Sequence, residues 1–329
     1  MANFKDIIGQ EQIKKHLQES IMQGSLSHAY IINGEAGSGR RLLASALTKT
    51  LLCENRTPDG DACGKCKSCL QADSNNHPDI RFITHEKASI GIDDIREQLI
   101  NDISIKPYSS SHKVYIIPDA NKMTEQAQNA LLKTMEEPPE YAIILLLTEN
   151  TQNLLPTITS RCITLNTQPL QKEVITQYLI KNLQMEPEQA KIAAGFCQGN
   201  VGKAIHFASS EDFQEMKHDT LQLLKEIDDM DVSDLMSMIK ELSQRKGRIT
   251  EYLDLMLLWY RDILMFKVTK DANILLYRDE YKAISRQASV RNYEDIEKII
   301  KAIDKAKVRL KANVNFETAI ELLLLSIKE

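Results

Sequence analysis

This sequence is poor in aromatic residues, which make up 5% of its 329 positions and include a single tryptophan. A protein that grips single-stranded nucleic acid along its surface stacks bases on aromatic faces beside a basic groove. So few aromatics, with a net charge of -5, exclude a surface built as one continuous stacking platform and leave room only for a local basic patch. No apolar run approaches the roughly 20 residues that span a bilayer. The opening Met1-Ala2-Asn3-Phe4-Lys5-Asp6 has no apolar segment of the kind that directs export. A cytoplasmic location with no membrane contact is the expectation. Internal repeats, low-complexity tracts and long flexible linkers are missing as well. What remains is ordinary globular composition, 43% apolar and 26% charged, in a chain long enough for two or three domains.

The first half alternates strand and helix signals. Ile13, Leu17 and Ile21 recur at helical spacing, and Ala29-Tyr30-Ile31-Ile32 is a short apolar run that stops at Asn33-Gly34. A helix follows on Leu42, Leu43, Ala46, Leu47, Thr50 and Leu51, then a strand at Asp79–Ile83 and a helix around Ile92, Ile95 and Leu99. Val114–Ile117, Ala142–Leu147 and Cys162–Leu165 read as further strands, with a helix capped by Thr124 and ended by Pro138-Pro139 between the first two. Such alternation builds a parallel sheet covered by helices on both faces, an α/β fold. Ligands of these sheets bind at the carboxyl ends of the strands. Gly34 to Gly39, Asp119 and Thr148 all fall at such ends. Beyond about Gln168 the pattern is helical only, with Lys172–Leu183, Glu188–Phe196 and Val201–Ala208 first and further helices to the end. Turns are expected near Asp228-Asp229, Lys246-Gly247 and Asn313-Val314-Asn315.

Four motifs carry chemistry. Gly34-Glu35-Ala36-Gly37-Ser38-Gly39-Arg40-Arg41 has the glycines of a phosphate-binding loop, which let backbone N–H groups face phosphate oxygens at a helix N-terminus. A working loop continues with Lys and then Ser or Thr; here Arg40 and Arg41 stand there, and Arg41 cannot ligate magnesium. A Gly-rich turn without a ligand is the plain alternative. Val114-Tyr115-Ile116-Ile117-Pro118-Asp119-Ala120 ends in the acid that organises magnesium in such folds, but Ala120 lacks the carboxylate that polarises the attacking water. Cys53, Cys63, Cys66 and Cys69, with two C-x-x-C steps, suit four-thiolate zinc in a structural role. His77 is expected to be a hydrogen-bonded loop residue rather than a ligand, and Cys162 and Cys197 to be buried free thiols. Arg161, in Ser160-Arg161-Cys162, stands after a short helix, Leu154–Ser160, beside the sheet's active edge. There an arginine can stabilise phosphoryl transfer on a neighbour.

Together these segments resemble the clamp loaders of the AAA+ superfamily. Ile7-Ile8-Gly9-Gln10-Glu11 is similar to the family's adenine-side segment, and His28-Ala29-Tyr30 to the approach to its phosphate loop. Asn129-Ala130-Leu131-Leu132-Lys133-Thr134-Met135-Glu136-Glu137-Pro138-Pro139 is the most specific match. Ser160-Arg161-Cys162 matches the arginine-finger motif, and the four cysteines match the zinc module. The resemblance is strong over residues 4–205 and rests on helical pattern beyond. It implies an AAA+ domain over 1–167 with a zinc module at 53–69, a helical lid over 168–209 and a helical collar for oligomerisation over 210–329. The closing helix, Phe316–Ile327, would show Ile320, Leu323, Leu324 and Ile327 as one stripe.

Within that family, tau/gamma subunits hydrolyse ATP with complete motifs, whereas others carry degraded motifs but keep the arginine finger. Departures at Arg40, Arg41 and Ala120, with Gly202 in place of the lid's sensor arginine, point to the non-hydrolysing type. Gly34, Gly37, Gly39, Arg40, Asp119 and Thr148 would then form a degenerate nucleotide site, vacant or weak. The implied role is a stator that helps load a sliding clamp onto primed DNA. Its partners would be the tau/gamma and delta subunits of DNA polymerase III, and Arg161 would act in trans. Two other classes compete. The phosphate loop speaks against an active tau/gamma-type ATPase, and scarce aromatics speak against a zinc-dependent nucleic-acid module.

Overall fold

The computed structural model describes residues 1–209, 211–312 and 314–328. Ser210, Asn313 and Glu329, named above at the start, last turn and end of the collar, lie outside the described residues. The chain divides into two compact units, residues 1–178 with 198–203, and residues 179–197 with 204–329. No helix among the described residues is long and apolar enough to cross a membrane.

The first unit is built on five parallel strands: β1 (Ala29–Asn33), β2 (Ile80–Phe82), β3 (Lys113–Ile117), β4 (Ala142–Thr148) and β5 (Ile163–Asn166), in the order β2-β3-β4-β1-β5. The period of two decides which face each side chain covers. Tyr30, Ile32, Val114, Ile116, Leu145 and Leu147 pack on one side with Leu43 and Leu47 of helix Arg40–Leu52. Ile31, Tyr115, Ile117, Ile144 and Leu146 pack on the other with Leu131 of helix Glu125–Glu136 and with Ile158. All seven residues of β4 are buried. Each buried Leu or Ile contributes about 1.5–3 kcal/mol relative to exposure, so this continuous apolar run belongs at the sheet's centre. Thr124 caps its helix as expected, accepting a bond from Ala127 N at 3.2 Å.

Two expectations need adjusting. β5 is an edge strand on which only Leu165 is buried, so Cys162 beside it is half-buried rather than buried. The helix before Arg161 spans Pro156–Thr159, because Pro156 fits a first helical turn but cannot continue one.

The second unit is helical. Pro187–Phe196, Glu211–Glu226, Val232–Gln244, Ile249–Thr269, Tyr281–Val290, Tyr293–Lys311 and Phe316–Lys328 are its main elements. The scarce aromatics gather inside it: Phe207 stacks on Phe213 at 4.1 Å, and Tyr277 sits edge-on to Phe196 at 5.0 Å. Trp259 is fully buried and donates to Gln287 Oε1 at 2.9 Å. Ile320, Leu323, Leu324 and Ile327 are all buried on the closing helix, the stripe read from the sequence.

Candidate functional site: a glycine-rich loop, a cysteine cluster and a paired arginine

β1 ends at Asn33 and the helix from Arg40 begins one loop later, so the glycine-rich segment lies at the carboxyl edge of the sheet. Thr148, at the end of β4, is in register with Asn33, and Asp119 follows β3 on the same edge. The separate stretches therefore converge as expected. The loop is packed against residues 198–203. Gly37 and Gly39 have φ of +84° and +95°, a conformation glycine adopts freely. The carbonyls of Ala36 and Gly37 accept bonds from Asn200 Nδ2 (2.8 Å) and Gly202 N (3.0 Å). Gly202 touches the loop so closely that a Cβ there would lie 2.5 Å from Gly37 Cα. Any side chain at that position, a sensor arginine included, collides with backbone.

The other groups are engaged elsewhere. Arg40 Nη2 pairs with Glu149 Oε1 at 3.3 Å, while its buried Nη1 has no hydrogen-bond partner among the described residues. Arg41 is exposed. The Thr148 hydroxyl donates to Asn150 O at 2.9 Å. Asp119 faces Lys122 at 3.4 Å, and Ala120 is wholly buried. Within residues 7–11, Gln10 exchanges two bonds with the Gln168 backbone, at 2.7 and 2.9 Å. Gly9, at φ +64°, packs against Leu170 with no room for a Cβ.

Cys53 ends the helix from Arg40, Cys63 lies in the following loop, and Cys66 caps helix Lys67–Asp73, which carries Cys69. The four sulfurs lie within 4.8 Å of one another. Cys53–Cys66 and Cys63–Cys69 are each 3.9 Å apart, against an edge of about 3.8 Å for tetrahedral zinc with 2.3 Å bonds. Backbone N–H groups of Cys63, Cys66 and Cys69 point at sulfurs, as thiolates require. Burial pushes the Cys53 and Cys69 thiols up, whereas the Lys65 N–H, outweighing burial, helps draw Cys63 down to about 6. The cluster can hold a metal ion such as zinc. His77 stands apart from it. Its Nδ1 accepts from Asp79 N at 3.1 Å. Ser68 spends its hydrogen on Leu52 O, so His77 Nε2 donates to Ser68 Oγ at 3.0 Å. Asp79 in turn accepts from the backbone of Tyr108, Ser109 and Ser110.

Arg161 is 36% exposed in its side chain, with Nη1 on Thr157 O at 3.0 Å and Nη2 on Glu136 Oε1 at 2.7 Å. Helix Glu125–Glu136 holds both ends of this segment. Buried Gln128 accepts from Leu155 N at 2.8 Å and donates to Asn153 O at 3.1 Å. Gln128, Glu136, Glu149 and Asn200 are the residues that sequence reasoning passed over. Glu136 lay inside the most specific motif, and its partner across 25 positions becomes visible only once the strands are paired.

The chain is 32% identical to DNA polymerase III subunit delta' of Bacillus subtilis, over 97% of this chain and 96% of that one. It belongs to the delta-prime family of DNA polymerase III clamp-loader subunits. A family model described as DNA polymerase III, delta subunit, matches residues 9–171. The tau subunit of the same bacterium is 27% identical over 96% of this chain but only 60% of its own length. Among solved structures, a DNA polymerase III gamma subunit-related protein of Thermotoga maritima aligns over 95% of this chain and 98% of that one, at 21% identity and a TM-score of 0.49. A delta-prime relative thus covers nearly the whole of a chain in which a five-stranded parallel sheet is followed by helices.

Proposed function

We propose that this chain is the non-hydrolysing delta-prime stator of a clamp loader. In this reading it helps load the sliding clamp onto primed DNA in the cytoplasm, beside tau/gamma and delta subunits. One observation carries the reading most directly: Gly202 rests on Gly37. The segment that would bring a sensor arginine to a γ-phosphate instead carries a glycine with no space for a side chain against the loop backbone. Arg40, Arg41 and Ala120 remove the lysine, the magnesium ligand and the water-polarising carboxylate independently.

The chain's catalytic effect would lie at another subunit's site. Arg161 is held by Glu136 and Thr157 O but keeps donors free, and its guanidinium can spread them over phosphate oxygens on a neighbour. The four cysteines would hold one structural zinc, fixing the loop between helices Arg40–Leu52 and Lys67–Asp73. We assign residues 1–167 to the AAA+ domain, 168–209 to the lid and 210–329 to the collar.

The decisive experiment is ATPase measurement on the isolated chain, then on the complex reconstituted with tau/gamma and delta, with and without clamp and primed DNA. No magnesium-dependent turnover alone, and stimulated turnover in the complex that depends on this chain, is expected. Steady turnover by the rigorously purified isolated chain overturns the assignment.

A further inference from the structure

The second unit carries a groove that none of the above uses. It runs between helices Tyr293–Lys311 and Phe316–Lys328 and encloses about 350 Å³. Asp295, Lys298, Ala302, Lys305 and Arg309 face it in steps of three and four, one stripe of a helix. Its wall is basic. Lys298, Lys305 and Arg309 make no ion pair among the described residues, and Lys301 beside them pairs with Glu297 at 2.5 Å. The single carboxylate in the stripe is committed, because Asp295 accepts from Asn292 N at 2.9 Å to cap the helix. Arg291, at the end of the groove, is buried with an Nε that has no partner among the described residues. The floor is apolar: Ile299 and Leu323 are buried, and Leu322 remains 43% exposed.

This arrangement works against the isolated helix. Lys301 with Lys305, and Lys305 with Arg309, are like-charge pairs four residues apart, which destabilise a helix. In a chain of net charge -5, three unpaired cations along one groove are an uncompensated local charge. We propose that the groove receives an acidic amphipathic helix of a partner protein. Lys298 to Lys305 spans two helical turns, about 10 Å, and Arg309 lies about 6 Å further on. A partner helix with carboxylates at that repeat and leucines on its inner face would pair with all three and cover Leu322. Nucleic acid fits less well. No aromatic side chain lines the groove to stack a base, and an exposed leucine floor offers nothing to a phosphate.

The test uses the full chain and a labelled synthetic helix about four turns long, with glutamates at the repeat of Lys298, Lys305 and Arg309 and leucines opposite. Fluorescence anisotropy should give saturable binding on the order of 10 µM at low salt. Lys298→Glu with Lys305→Glu should weaken it roughly tenfold or more, and Leu322→Ala roughly threefold. All three positions are exposed, so circular dichroism should be unchanged. Absence of saturable binding, or equal affinity in the charge-reversed variant, overturns the proposal. Single-stranded oligodeoxythymidine binding as tightly, with no effect of Leu322→Ala, would assign the groove to phosphates instead and overturn it too.

Discussion

Glu136 Oε1 accepts a 2.7 Å hydrogen bond from Arg161 Nη2 across 25 residues of chain. The carboxylate fixes one edge of the guanidinium, and Thr157 O fixes the other through Nη1. Arg161→Ala should leave folding and assembly intact, since the side chain is exposed. On the proposed role it should cut stimulated ATPase at the neighbouring site, on the order of a thousandfold there. Arg161→Lys should rescue poorly, because lysine keeps the charge and loses the planar fork. Glu136→Ala should give an intermediate loss in turnover with nucleotide affinity unchanged. Wild-type ATPase and clamp loading in a fully assembled Arg161→Ala complex would sink the finger assignment.

Restoring the phosphate loop should not restore chemistry. Arg40→Lys with Arg41→Thr recreates the lysine and the magnesium ligand but leaves Ala120 and the Gly202 contact as they are. The double variant is expected to show no ATP hydrolysis above the wild-type chain in a coupled assay. Measurable turnover would mean that neither Ala120 nor the Gly202 contact is a barrier.

The thiolate cluster should hold about one zinc per chain purified without chelator. After chelation, alkylation followed by mass spectrometry should mark Cys63 first, since its thiolate forms near pH 6, and Cys69 last, since burial raises its thiol. Equal labelling of all four thiols in the metal-loaded folded protein would contradict a zinc site.

Stability should fall on mild acidification. Burial holds His77 and His112 below the ordinary histidine value of 6.5. The unfolded chain then binds protons that the folded chain refuses, so stability is full above pH 6.5 and declines as pH drops through it. Urea midpoints measured from pH 7.5 to 5.5 should decrease. His77→Asn should lower stability at neutral pH by about 1–3 kcal/mol and flatten the decline. A midpoint that rises towards pH 5.5 would reverse the sign and exclude the mechanism.

Much of this was legible in the sequence. The sheet strands announced themselves as short apolar runs closed by turn residues, and β4 as a run with no polar interruption. The thiolate site was legible because ligand spacing and ligand chemistry are both local. Contacts between distant segments were not. Nothing local tells Asn200 that it will bond Ala36 O, or Gln128 that it will hold both Asn153 and Leu155. The half-burial of Cys162 followed from β5 lying at a sheet edge, which depends on strand order and not on the residues themselves. The groove beside Lys305 was equally hidden, since its floor comes from a second helix.

The contact of Gly202 with Gly37 also couples two segments that are far apart in the sequence. An arginine placed at 202 strikes the loop backbone, so a side chain there requires the loop itself to move. The two glycines set the spacing of two distant segments together, and a change that opens one must open the other.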